Sequence, residues 1–111
     1  MRRLSDTDRI DRAMSEDDLL SGIADLSHRL RWLSYHVRRS DRAVTQGTAG
    51  FPDLIMARPP RLLLIELKSQ LGELAPLQQL WREALERCPG IEYYVWRPSD
   101  WRTGVIDKVL A

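Results

Sequence analysis

The stretch Gly50-Phe51-Pro52-Asp53-Leu54-Ile55-Met56-Ala57-Arg58-Pro59-Pro60-Arg61-Leu62-Leu63-Leu64-Ile65-Glu66-Leu67-Lys68 decides how this chain folds. It predicts two strands, one over Asp53 to Ala57 and one over Leu62 to Lys68, joined by the Pro-rich turn Arg58-Pro59-Pro60-Arg61. The second strand begins with four consecutive apolar residues, Leu62 to Ile65, which suits a central strand covered on both faces. Glu66 and Lys68 stand two apart, so their side chains share one face of that strand. With the turn centred near Pro59-Pro60, antiparallel pairing opposes residues whose numbers sum to about 118–120. Asp53 then lies across from the neighbourhood of Glu66. Two carboxylates and an ammonium converge at one end of an otherwise apolar hairpin, and Gly50 before them frees the backbone for a tight approach.

Working outward, residues 1–13 are dense in charge and poor in large apolar groups, which predicts a loosely attached leader. Ser15 suits a helix cap, with Glu16, Asp17 and Asp18 beside the positive end of the helix dipole. Leu19, Ile23, Leu26 and Leu30 recur at helical spacing behind them. Trp32 to Val37 reads as a short strand, and Ser40 to Gly50 as a loop. Pro76 opens a second helix whose stripe is Leu77, Leu80, Trp81, Ala84, Leu85 and Cys88, stopped by Pro89-Gly90. Trp81 and Cys88 are thereby expected in the interior. Ile91 to Trp96 is a further strand, and Pro98-Ser99-Asp100 a turn and cap before a short closing helix. This order predicts an α/β fold, a central mixed β-sheet flanked by helices.

A chain of 111 residues fits one domain. With 43% hydrophobic and 30% charged residues it is too apolar for a disordered chain, and no apolar run reaches the roughly 18 residues needed to cross a bilayer. The N-terminus lacks the apolar stretch of a secretory signal, so no membrane partner is expected and the cytoplasm is the default location. One cysteine and two distant histidines do not make a structural zinc site. Seventeen basic against sixteen acidic residues leave a net charge of +1, so global charge does not announce a nucleic-acid partner. Locally, Arg29, Arg31, Arg38, Arg39 and Arg42 crowd a short segment, which is either a solvated face or a phosphate-contacting surface.

Charge inside the hairpin needs a reason, because burying it unpaired costs several kcal/mol. An ion pair between Lys68 and one acid explains two of the three charges and leaves the second carboxylate in need of a partner. Two carboxylates suit a hard divalent cation such as Mg²⁺, held with waters and phosphate oxygens. A lysine beside such an ion can orient or deprotonate the attacking water, and the set fits phosphodiester hydrolysis.

The run Gly50-Phe51-Pro52-Asp53-Leu54, then Ile65-Glu66-Leu67-Lys68-Ser69, Gly72, Pro76 and Gln78, and finally Val95-Trp96-Arg97-Pro98-Ser99-Asp100, resembles the VRR-NUC family of PD-(D/E)xK nucleases. The similarity is greatest to short stand-alone members of phage and bacterial type, and it spans residues 14–110 in order. It implies a restriction-endonuclease-like core, with residues 14–111 as a single nuclease domain after the 1–13 leader, in a bacterium or a phage-infected host. It further implies Mg²⁺ or Mn²⁺ bound by Asp53 and Glu66, helped by the main-chain carbonyl of Leu67. Lys68 matches the catalytic lysine, and Gln78 a glutamine that supports the lysine and the scissile phosphate. Glu16 matches a first-helix acid that completes the metal shell through a water; as a plain helix-dipole acid it would duplicate Asp17 and Asp18. Ala75 stands where the family commonly has Ser or Thr as the helix cap.

The resemblance also sets the expected substrate: DNA, cleaved internally, with a homodimer acting on a branched form such as a Holliday junction. Nicking, flap or duplex cleavage by the same fold is the alternative, and a non-catalytic nucleic-acid-binding module is the rival from another class. Arg38, Arg39, Arg42 and His36 are the candidate DNA contacts. Trp96 and Trp101, flanking Arg97 and the turn, are candidates either for stacking on bases or for core packing.

Overall fold

The computed structural model describes residues 3–37 and 49–111. In chain order these form α1 (Asp6–Ala13), α2 (Glu16–Arg29), β1 (Leu33–His36), β2 (Leu54–Arg58), β3 (Arg61–Leu67), α3 (Pro76–Glu86), β4 (Glu92–Trp96), α4 (Pro98–Arg102) and α5 (Val105–Leu110). The four strands make one sheet in the order β1-β2-β3-β4. β1 and β3 flank β2 antiparallel, and β4 joins β3 in parallel. The hairpin register runs from Leu54 opposite Ile65 to Arg58 opposite Arg61, inside the predicted window.

Alternation along the strands builds the core on one face. Leu54 and Met56 of β2, Leu63, Ile65 and Leu67 of β3 and Trp96 of β4 meet Leu19 and Ile23 of α2 and Ile106 and Leu110 of α5. Each such aliphatic side chain, fully buried, contributes about 1.5–3 kcal/mol. α2 is started as its sequence demands: Ser15 Oγ accepts from Asp18 N and the Asp18 carboxylate accepts from Ser15 N, a reciprocal capping box. On the opposite face α3 packs on β4. Beside β1 that face carries exposed side chains, Leu33 at 76% and Tyr35 at 63% exposure.

Four expectations are corrected. Residues 6–13 are not a loose leader but helix α1, capped by Ser5. Asp11 is buried there and accepts from Arg102 Nε and Nη2, both at 2.8 Å. This bidentate pair raises the Arg102 guanidinium above its ordinary range and holds the Asp11 carboxyl below its own, the hydrogen bonds being the largest cause of each shift. The predicted stripe of α3 is also turned. Gln78 and Leu85 are its buried residues, while Leu77 and Leu80 are 49% and 61% exposed. The helix is rotated because the buried Gln78 carboxamide finds partners on both its ends (below), which satisfies a polar group that would otherwise be costly inside.

Trp81 is only half-buried, edge-to-face with Phe51 at 4.9 Å between ring centroids and with Nε1 donating to Ala49 O. Cys88, beyond the end of α3, is exposed. The tryptophans of the last third pack inward. Trp96 is 2% exposed, and Trp101 packs against the core cluster.

Candidate active site

Asp53 immediately precedes β2, on the same sheet face as Glu66 of β3, one residue beyond the Leu54–Ile65 pair. Its Oδ2 accepts from Leu67 N at 2.7 Å, a charge-assisted bond across the hairpin's open end. The preceding Gly50 has φ +79, and a Cβ there would stand 2.5 Å from the Leu77 carbonyl carbon. Only glycine lets the chain enter β2 so close to α3.

Glu66 is 1% exposed. Its Oε1 accepts from Gln78 Nε2 at 2.8 Å, and Gln78 Oε1 in turn accepts from Ala75 N at 2.8 Å. Gln78 therefore positions the glutamate, where the resemblance has it support the lysine and phosphate. The same side chain closes half of a capping box at a helix whose cap residue, Ala75, has no side-chain acceptor. Lys68 follows the last residue of β3, half-buried, with its N–H still donating to Trp96 O at 3.0 Å. Two-residue periodicity puts its side chain on the Glu66 face.

At this end of the sheet a cavity of about 120 Å³ is lined by Glu16, Asp17, Leu20, His36, Asp53 and Leu67. The structure thus brings Glu16 and His36, both exposed, to Asp53. Asp17, which its sequence position marks only as a dipole acid, lines the cavity too. Its signal is spacing: residues 16, 17 and 20 share one helical face. Arg38, Arg39 and Arg42, with the rest of residues 38–48, lie outside the described residues. Tyr93, opposite Leu64, has its phenol pushed up to about 12, first by burial and next by the charge of Glu66. It stays a neutral hydroxyl at neutral pH.

Among the described residues no three His, Cys, Asp or Glu side chains cluster as a ready metal cage. Mg²⁺ does not require one, since one or two carboxylates and waters commonly hold it. The donors at hand are carboxylate oxygens on adjacent strands, a set that fits a hard divalent cation and not the Cys- and His-rich shell of structural zinc.

The sheet, its flanking helices and this charged hairpin end define an α/β protein with a restriction-endonuclease-like core. The sequence profile of the VRR-NUC domain matches residues 10–100; the chain belongs to the VRR-NUC family, a family of nucleases. A solved structure of a VRR_NUC domain superposes with a TM-score of 0.64, covering 84% of this chain and 96% of that one at 17% identity, and so shares the fold. No curated protein sequence matches the chain. No helix among the described residues is long and apolar enough to cross a membrane.

Proposed function

We propose that the protein is an Mg²⁺- or Mn²⁺-dependent DNA endonuclease of the PD-(D/E)xK type, acting on branched DNA such as a four-way junction. One observation carries this reading: Asp53 and Glu66 stand side by side on neighbouring strands, each oriented by a neutral donor, with Lys68 on the same face. Asp53 and Glu66, with the Leu67 carbonyl, would hold the metal, and Glu16 would reach it through a water. When bound, the ion would polarise the phosphate and lower the pKa of water. Lys68 orients the attacking water and screens phosphate charge. Gln78 fixes the Glu66 carboxylate, and the Leu67 N–H fixes that of Asp53. His36 at the cavity wall, and Arg38, Arg39 and Arg42 following β1, are proposed to contact the DNA backbone.

A homodimer would give two such sites related by a two-fold axis, as symmetric junction cleavage needs. The apolar strip of exposed Leu33 and Tyr35 beside half-buried Ile55 and Ala57 along the sheet edge is the surface we assign to the second copy, because large exposed apolar groups concentrate at interfaces.

The test is cleavage of labelled four-way junction, flap, duplex and single-stranded DNA with Mg²⁺ or Mn²⁺, comparing wild type with Asp53→Ala and Lys68→Ala, and with light scattering for the dimer. Junction cleavage lost in both variants is the expected result. Cleavage confined to flap or duplex would replace the substrate, and equal cleavage by the variants would remove the site. A wild type that binds DNA and cuts none of the four would be a binding module.

A further inference from the structure

We propose that the turn joining β4 to α4 is a positioning device for Lys68, with Arg97 at its centre and Gln70 and Ser99 as its second point of attachment. The inference rests on the function proposed above and names residues that reading leaves without a role.

Lys68 is where β3 ends: its N–H still bonds Trp96 O, and from Ser69 the chain leaves the sheet. The exit is a tight turn in which Gly72 N donates to Ser69 O at 3.2 Å. Arg97, one residue past the β4 partner of Leu67, reaches back to this turn. Its Nη1 donates to Ser69 O at 2.9 Å and also to Gly72 O, so one guanidinium nitrogen bridges both ends of the turn. Between them Gln70 grips the start of α4: its Oε1 accepts from Ser99 N at 2.9 Å and its Nε2 donates to Ser99 Oγ at 3.1 Å. Asp100 Oδ2 accepts from Arg97 N at 2.8 Å, which fixes the root of the arginine.

The turn lies against the lysine itself. A Cβ on Gly72 would stand 3.6 Å from Lys68 Cδ and 2.8 Å from Ser69 Oγ, so the lysine stem passes beside this glycine and the space there is limited. A lysine side chain carries about 2 kcal/mol of rotamer entropy, and limited space beside its stem removes part of that freedom before substrate arrives. The turn closes through its own Gly72–Ser69 bond. The Arg97 and Gln70 bonds serve a separate end, holding the closed turn at a fixed place beside β4. A shift of about 1 Å at a reacting group can cost a hundredfold in rate.

The experiment compares Arg97→Ala, Arg97→Lys and Gln70→Ala with wild type in two readouts. Steady-state cleavage gives kcat and KM, and pulse acetylation with an N-hydroxysuccinimide ester, read by peptide mass spectrometry, gives the reactivity of the Lys68 amine without any catalysis. Arg97→Ala is expected to lower kcat about 10–100-fold with KM within about threefold, and to change the Lys68 acetylation rate by about threefold or more as the stem is released. Arg97→Lys should recover part of both. Gln70→Ala, which removes only the second attachment, should show the same pattern more weakly, and it carries the test if Arg97→Ala does not fold. A purely structural role would lower the melting temperature and leave kcat of the folded fraction and Lys68 reactivity at wild-type values; that result overturns the proposal. If wild type cleaves nothing, the nuclease function fails, while the acetylation rates still decide whether the turn holds Lys68.

Discussion

The β2–β3 hairpin has charged groups at both of its ends, and the two ends treat them differently. At the turn, Arg58 donates to the carbonyls of Leu30, Leu110 and Ala111, and Arg61 to the carbonyl of Val109 and to both oxygens of Glu92. Both guanidiniums lie over Trp32, at 4.5 and 5.1 Å from the ring centroid, and Trp32 Nε1 donates to Leu110 O. The cations there meet a carboxylate, an aromatic face and the negative ends of α2 and α5, so they hold Val109, Leu110 and Ala111 in place. At the open end, Asp53 takes its bond from a backbone N–H and Glu66 from a carboxamide. Both of these bonds come from neutral donors and set the direction of the carboxylates. On the function proposed above, one end serves stability and the other chemistry, although both carry acids and bases.

Glu66→Gln tests that contrast hardest. The amide keeps an oxygen for Gln78 Nε2 and removes a buried charge, so the melting temperature should hold or rise. Cleavage should fall by about 10³-fold, some 4 kcal/mol of transition-state stabilisation. A variant that cuts like wild type would make the open end as structural as the turn. At the turn the opposite pattern is expected. Trp32→Ala removes a side chain that is 5% exposed, and it should cost about 3–5 kcal/mol of stability in a denaturant titration, while kcat per folded molecule stays at the wild-type value. A loss of kcat in proportion to stability would show that the two ends are coupled.

What the sequence revealed and what it hid follow the same division. The hairpin register was legible because strand periodicity and a two-proline turn are local signals, and with it the placing of Asp53 across from Glu66. The rotation of α3 was not. Leu77, Leu80 and Ala84 make a regular apolar stripe, but the two bonds of the buried Gln78 side chain set the helix's facing instead, and a glutamine in a sequence does not announce them. Arg97 read as one residue of a resemblance motif; its reach to Ser69 and Gly72 crosses a helix and a strand. Asp11 and Arg102 are 91 residues apart, with nothing in either neighbourhood to pair them, so sequence composition alone makes the helix they anchor look like a loose leader.

That anchor gives the smallest expected effect and one with a definite pH dependence. Arg102 holds the folded-state Asp11 carboxyl below its ordinary 3.8, so folding favours the ionised form and the pair's contribution is fully present above that value. It is lost as pH falls through the lower folded-state value, where the carboxylate takes up its proton in spite of Arg102. Asp11→Asn should therefore melt below wild type at neutral pH, and the gap should close as the solution is acidified below 3.8. Acid titration of the other carboxylates is common to both proteins and drops out of the difference. The Glu92 carboxyl, lowered chiefly by its hydrogen bonds to Arg61, provides the matching comparison at the turn: Glu92→Gln should show a gap of the same sign, closing below the ordinary glutamate value of 4.5. A gap for Asp11→Asn that widens in acid would mean that α1 is held by something other than this ion pair, such as the apolar contact of Met14 with the core.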